Sequence, residues 1–162
     1  MIKPPTWSKT CAHWASIHSP VLVARVYQYT GSAWVQLGAD IDGESGGDSF
    51  GTGVSLSSDG TRLAVGADQN DGGGANAGHV RVFLYTGSAW VQIGADLDGE
   101  AAGDEFGYSV SLSSDGTKLA VGARRNDGNG SDAGQVRVFQ NYGSAWTQIF
   151  ADIDGEAAGD ET

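Results

Sequence analysis

Carboxylates are the side chains best placed to do chemistry in this sequence, and they come in clusters. Asp40, Asp42, Glu44 and Asp48 form the first. Asp96, Asp98, Glu100, Asp104 and Glu105 form the second, and Asp152, Asp154, Glu156, Asp160 and Glu161 the third. Together they hold 14 of the 20 acidic residues in the chain. The Asp-x-Asp-Gly-Glu pattern sets several hard oxygen donors on one turn, the donor type that calcium prefers. On that ground Asp96, Asp98, Glu100 and Asp104 are expected calcium ligands, as are Asp152, Asp154, Glu156 and Asp160. The spacing is not that of an EF-hand, and no helix pattern flanks it. A competing reading needs no ion: an acidic turn facing water keeps the surface soluble.

Other chemistry finds less support. Of three histidines only His79 falls in repeated sequence, and its counterpart is Gln135, so no repeated catalytic position exists there. Cys11, His13 and His18 lack a fourth ligand and a repeated scaffold, which argues against zinc. No Gly-x-Ser-x-Gly elbow and no phosphate-cradling Gly loop with Lys occurs. Exposed carboxylates are poor general acids, because that role needs burial to shift a pKa. No catalytic residue and no enzyme activity is expected.

The clusters are carried by a repeat. Gly31-Ser32-Ala33-Trp34 returns as Gly87-Ser88-Ala89-Trp90 and as Gly143-Ser144-Ala145-Trp146, an offset of 56 each time. Residues 25–80 and 81–136 are identical at 40 of 56 positions. Such a period marks a supersecondary unit that buries its faces against neighbouring copies. Within one unit, Phe106, Tyr108, Val110 and Leu112 alternate with small residues, the period of a strand. Asp115-Gly116 makes a tight turn into a second strand, Leu119–Ala123. A Gly- and Asn-rich loop, 126–134, leads to a third strand, Val136–Phe139, and Ala145–Ile149 makes a fourth. Both sides of Leu119–Ala123 are apolar or small, so both faces of the sheet are buried. Four short antiparallel strands followed by an acidic connection is the plan of a β-propeller blade. A β-sandwich of duplicated hairpins is the alternative. The predicted fold is all-β, about two and a half blades of a partial or open propeller.

Phe106-Gly107-Tyr108-Ser109-Val110-Ser111-Leu112, then Leu119-Ala120-Val121-Gly122-Ala123 and Gly134-Gln135-Val136-Arg137-Val138-Phe139, resembles an FG-GAP repeat. These are the blades of the integrin alpha-chain N-terminal propeller. The first copy matches in Phe50-Gly51, Leu63–Ala67 and Gly78–Phe83. Two departures stand out. Asp68 and Arg124 occupy the position of the family's closing proline, and the first turn carries one carboxylate per copy, Asp59 or Asp115. A hard cation wants six to eight oxygens, so the family's calcium loop does not carry over to that turn. The resemblance implies a non-enzymatic binding or scaffolding module at the cell surface or outside the cell, with a protein or glycan ligand. Alternatives are a non-catalytic part of a larger propeller-containing enzyme and an incomplete gene product.

The units divide the chain into a non-repeat, poorly ordered leader (1–24), a half blade with its acidic connection (25–49) and two blades (50–105 and 106–162). A closed ring needs about 4–8 blades, so missing blades or self-association would have to complete it. A net charge of −11 excludes nucleic acid as a natural partner. No apolar run is long enough to insert in a membrane, and no clear hydrophobic stretch follows Met1–Lys9, so no signal peptide is read. Asn129-Gly130-Ser131 is an N-glycosylation sequon, meaningful only for a secreted chain. Trp34, Trp90 and Trp146 are read as fillers of each outer strand, with sugar-stacking platforms as the alternative. Arg25, Arg81 and Arg137 are expected to pair with the acidic turns.

Overall fold

The computed structural model describes residues 21–161, so most of the expected leader, with Cys11, His13 and His18, lies outside the described residues. Alternating apolar and small residues build antiparallel strands throughout, and no helix occurs among the described residues. The first unit holds β1 (Val23–Ala24), β2 (Tyr27–Tyr29), β3 (Trp34–Gln36) and β4 (Ile41–Asp42). The middle blade holds β5 (Phe50–Leu56), β6 (Arg62–Ala67), β7 (His79–Tyr85), β8 (Trp90–Gln92) and β9 (Leu97–Asp98). The last blade repeats it as β10 (Phe106–Leu112), β11 (Lys118–Ala123), β12 (Gln135–Asn141), β13 (Trp146–Gln148) and β14 (Ile153–Asp154). Both full blades run in order of sequence through their first four strands.

Two boundaries differ from the sequence reading. The half blade starts at Val23 rather than Arg25: Val23 and Ala24 are apolar, buried, and pair with Asp42 and Ile41. The fourth strand is also followed by a short fifth one. Gly94 turns the chain with φ +84, and Leu97 and Asp98 then return to pair with Val80 and His79. The first residues of each acidic connection are therefore part of the sheet.

Among the described residues the blades stack face to face and do not close a ring. One core lies between the half blade and the middle blade, where Ala24, Val26 and Ile41 meet Phe50, Leu63, Val65, Ala67 and Phe83. A second lies between the middle and last blades. There Ala64, Val80 and Val82 meet Phe106, Leu119, Val121, Ala123 and Phe139. The middle blade is thus buried on both faces, which two sheets of a sandwich would not give it.

The Phe-Gly pair has a mechanical reason. Phe106 pairs with Ala123, but the next partners are Ser109 and Gly122, so the strand carries a bulge. Gly107 sits in it at φ +93, and Gly51 at φ +99 in the middle blade, where a side chain would be strained. The bulge pushes the Gly107 carbonyl into the neighbouring sheet: a Cβ on Gly66 would lie 2.0 Å from that oxygen. Backbone meets backbone there because neither residue has a side chain.

Candidate functional site

The charged residues converge on the seams between blades. Arg81 rises from the middle of β7 and is buried between two rings, 4.6 Å from the Phe50 centroid and 5.5 Å from that of Phe83. Its Nη2 donates to the Asp42 carbonyl of the preceding unit at 2.7 Å, and Nη1 lies 3.9 Å from Glu44 Oε1. Arg137 repeats this one seam later. It lies over Phe106 at 4.2 Å and Phe139 at 5.5 Å, donates to the Asp98 carbonyl at 2.6 Å, and reaches Glu100 at 3.4 Å. Burial pushes the Arg137 pKa down from its ordinary value, opposed by Glu100 and the nearby Asp residues. Each arginine ties one blade to the acidic connection of the blade before it. Arg25 differs, pairing inside its own unit with Asp40 at 2.8 Å. That guanidinium, bonded to the Asp40 carboxyl, holds it below the usual carboxylate range, helped by Gln36.

Most of the expected calcium ligands make local contacts through their carboxylates. Asp96 accepts from Gln92 Nε2 at 2.6 Å and Asp152 from Gln148 Nε2 at 2.7 Å. Asp98 and Asp154 sit in β9 and β14, and Asp154 lies 3.4 Å from Gln135 Nε2. Glu100 faces Arg137, and the exposed Glu156 offers its backbone carbonyl to Asn129 at 3.4 Å. Asp104 is buried and accepts from the Ala101 amide at 3.1 Å and from Asn126 Nδ2 at 2.9 Å. Asp160 caps the corresponding turn through the Ala157 amide at 2.9 Å. Among the described residues, no three of these eight bring carboxylate oxygens together within 4.8 Å.

A different constellation does converge. Glu44, His79 and Asp96 each place one ligand atom within 4.8 Å of the others, at the seam between the half blade and the middle blade. His79 is 2% exposed, and burial pushes its pKa down from the ordinary imidazole value against the pull of Asp96 and Glu44. His79 has Gln135 as its counterpart 56 residues later, so repetition does not mark it. Only the fold brings the acidic connection of the preceding unit against it.

Tryptophan and asparagine complete the seams. Trp90 Nε1 donates to the Leu37 carbonyl at 2.8 Å and Trp146 Nε1 to the Ile93 carbonyl at 3.1 Å, each reaching back one blade. Asn129 Nδ2, the nitrogen that a glycan would occupy, donates to the Gly155 carbonyl at 3.0 Å. In the last blade, Glu105 pairs with Arg124 and, at 3.2 Å, with Arg125. Arg124 also lies over the Tyr108 ring at 4.1 Å. No helix among the described residues is long and apolar enough to cross a membrane.

Residues 94–139 match a family model described as FG-GAP repeat. The match runs from the turn after β8 to the end of the Val-Arg-Val-Phe segment in β12, and so includes the Phe-Gly bulge and the seam arginine. No curated protein matches the chain.

Proposed function

Because the chain carries an FG-GAP repeat, we propose that it is a non-enzymatic binding and scaffolding module, part of an integrin-alpha-like propeller that acts outside the cell or at its surface. The observation that carries this reading is the unequal burial of equivalent sheet faces. Ala64, Val80 and Val82 of the middle blade are covered by the next blade, whereas Ala120, Val136 and Val138 of the last blade are only half-buried. A face built to be covered, left open, takes another blade. That blade comes from further repeats or from a second copy, and the ligand binds to the assembled array.

Sedimentation of the purified chain over a concentration series tests this reading, with Val136→Glu as the control. Concentration-dependent association that V136E abolishes, with an unchanged melting temperature, is the expected result. A chain that stays monomeric, or a V136E variant that still associates, removes ring completion by self-association. In that case, failure of a separately produced FG-GAP blade to bind the open face removes the scaffold reading itself.

A further inference from the structure

We infer that Glu44, His79 and Asp96 form a binding site for a first-row divalent transition cation, of which zinc is the type, at the seam between the half blade and the middle blade. Three observations carry it. The ligand atoms, one nitrogen and two carboxylate oxygens, lie within 4.8 Å of one another and come from separate segments that the fold alone brings together. The imidazole is 2% exposed yet makes no hydrogen bond among the described residues. Its Nε2 has no partner, and its Nδ1 has only Asp96 Oδ2, 4.0 Å away. Nδ1 is the nitrogen turned to Asp96, and a cation bound there would give its lone pair the partner it lacks, with the ring proton on Nε2.

The third observation is the support around Asp96. Gln92 Nε2 holds its Oδ1 at 2.6 Å, which leaves Oδ2 as the oxygen turned to His79. Outer contacts of this kind orient metal ligands. Zinc takes His nitrogen and carboxylate oxygen at about 2.0–2.2 Å, so the donors must close in from their present spacing. Glu44 is exposed and Asp96 partly so, and both can move; His79 is fixed at the start of β7. Arg81 Nη1, 3.9 Å from Glu44, is the opposing charge. Its guanidinium is anchored elsewhere, on the Asp42 carbonyl and the Phe50 and Phe83 rings, so Glu44 can turn to a cation without leaving Nη2 unpaired. Three protein ligands leave a position for water. Nitrogen in the donor set selects transition cations over calcium, which is held by oxygen.

The next seam supplies the control. Gln135 stands where His79 stands, with Glu100 3.4 Å from its Nε2, and that seam folds without an imidazole. His79→Gln therefore substitutes a residue that this architecture already accommodates. The full chain, freed of metal by chelator dialysis, is titrated with Co²⁺ and followed by visible absorption, then with Zn²⁺ as competitor. The expected result is a Co²⁺ spectrum that Zn²⁺ displaces and excess Ca²⁺ does not. Affinity should fall at least tenfold in H79Q and measurably in Glu44→Gln, while both variants keep the wild-type circular-dichroism spectrum. No Co²⁺ binding by the wild type, equal binding by wild type and H79Q, or displacement by Ca²⁺ would each overturn the inference. Equal binding would assign the metal to other groups, Cys11, His13 and His18 among them.

Discussion

The middle and last blades carry nearly the same residues in different surroundings. Val80 and Val82 of the middle blade are 0% and 2% exposed, while Val136 and Val138 at the same positions are half-buried. Ile153 is 53% exposed where its counterpart Leu97 is partly covered. Burial in this fold is a property of the neighbour, as a one-dimensional array of repeats requires. The same substitution made in both blades therefore measures what a neighbour contributes.

The largest difference is expected at the glycine of the second strand. A Cβ on Gly66 meets the Gly107 carbonyl at 2.0 Å, backbone that cannot yield without separating the blades. A Cβ on Gly122 meets only the Ser109 hydroxyl at 2.4 Å, in its own sheet, and that side chain can rotate away. Gly66→Ala should cost about 3 kcal/mol or more, the upper range for overpacking, and broaden or abolish cooperative melting. Gly122→Ala should cost under about 1 kcal/mol. Equal losses in thermal melts would mean that the two glycines serve the strand rather than the seam.

A smaller contrast tests the tryptophans. Trp90 hydrogen-bonds the Leu37 carbonyl of the preceding unit, whereas Trp34 is 47% exposed and makes no such bond among the described residues. Trp90→Phe keeps most of the ring but removes the donor, for an expected loss of about 1 kcal/mol, roughly 2–4 °C in a chain of this size. Trp34→Phe should leave the melting temperature within error. A loss at Trp34 equal to that at Trp90 would show that the tryptophan matters for packing on its own hairpin. The Tyr29–Trp34 and Tyr85–Trp90 ring pairs, 5.3 and 5.2 Å apart, offer that explanation.

Much of this was legible in the sequence because the repeat amplifies local signals. Phe106-Gly107, Asp115-Gly116 and the alternation of Leu112 with its neighbours are local, and each recurs 56 residues earlier. The β9 and β14 strands were hidden because two residues after a turn carry no periodicity, and their partners lie in β7 and β12, far back along the chain. The acidic connections read as a possible ion cage because composition shows carboxylates but not what they bond. Buried Asn126, Gln92 and the seam arginine Arg137 each bond one of those carboxylates, Asp104, Asp96 and Glu100. The Glu44–His79–Asp96 group escaped for the opposite reason: its members are far apart in sequence, and the repeat comparison hides a residue that occurs once.

The finest contrast is electrostatic and lies in the first turn of each blade. Asp115 accepts from the Ser113 hydroxyl at 2.6 Å and from the Thr117 amide and hydroxyl at 3.0 and 2.8 Å. The Ser113 hydrogen bond, followed by those from Thr117, holds its carboxyl far below the usual range. Asp59 makes the same three bonds, but its turn is covered by the last blade, where Ser58 donates to the Ser114 carbonyl at 2.9 Å and Arg62 to the Gly116 carbonyl at 3.0 Å. Burial is the largest influence on Asp59 and opposes its ionisation, and the turn bonds still leave its pKa lowered. A carboxylate with a depressed folded-state pKa stabilises the protein above its unfolded value, near pH 4, and that contribution is lost as pH falls towards the folded value. Asp115→Asn should therefore flatten the decline in melting temperature below about pH 4, and Asp59→Asn should flatten it less. Equal slopes for the two variants would show that the covering blade does not alter the turn's protonation. A steeper decline in D115N than in the wild type would reverse the sign of the argument.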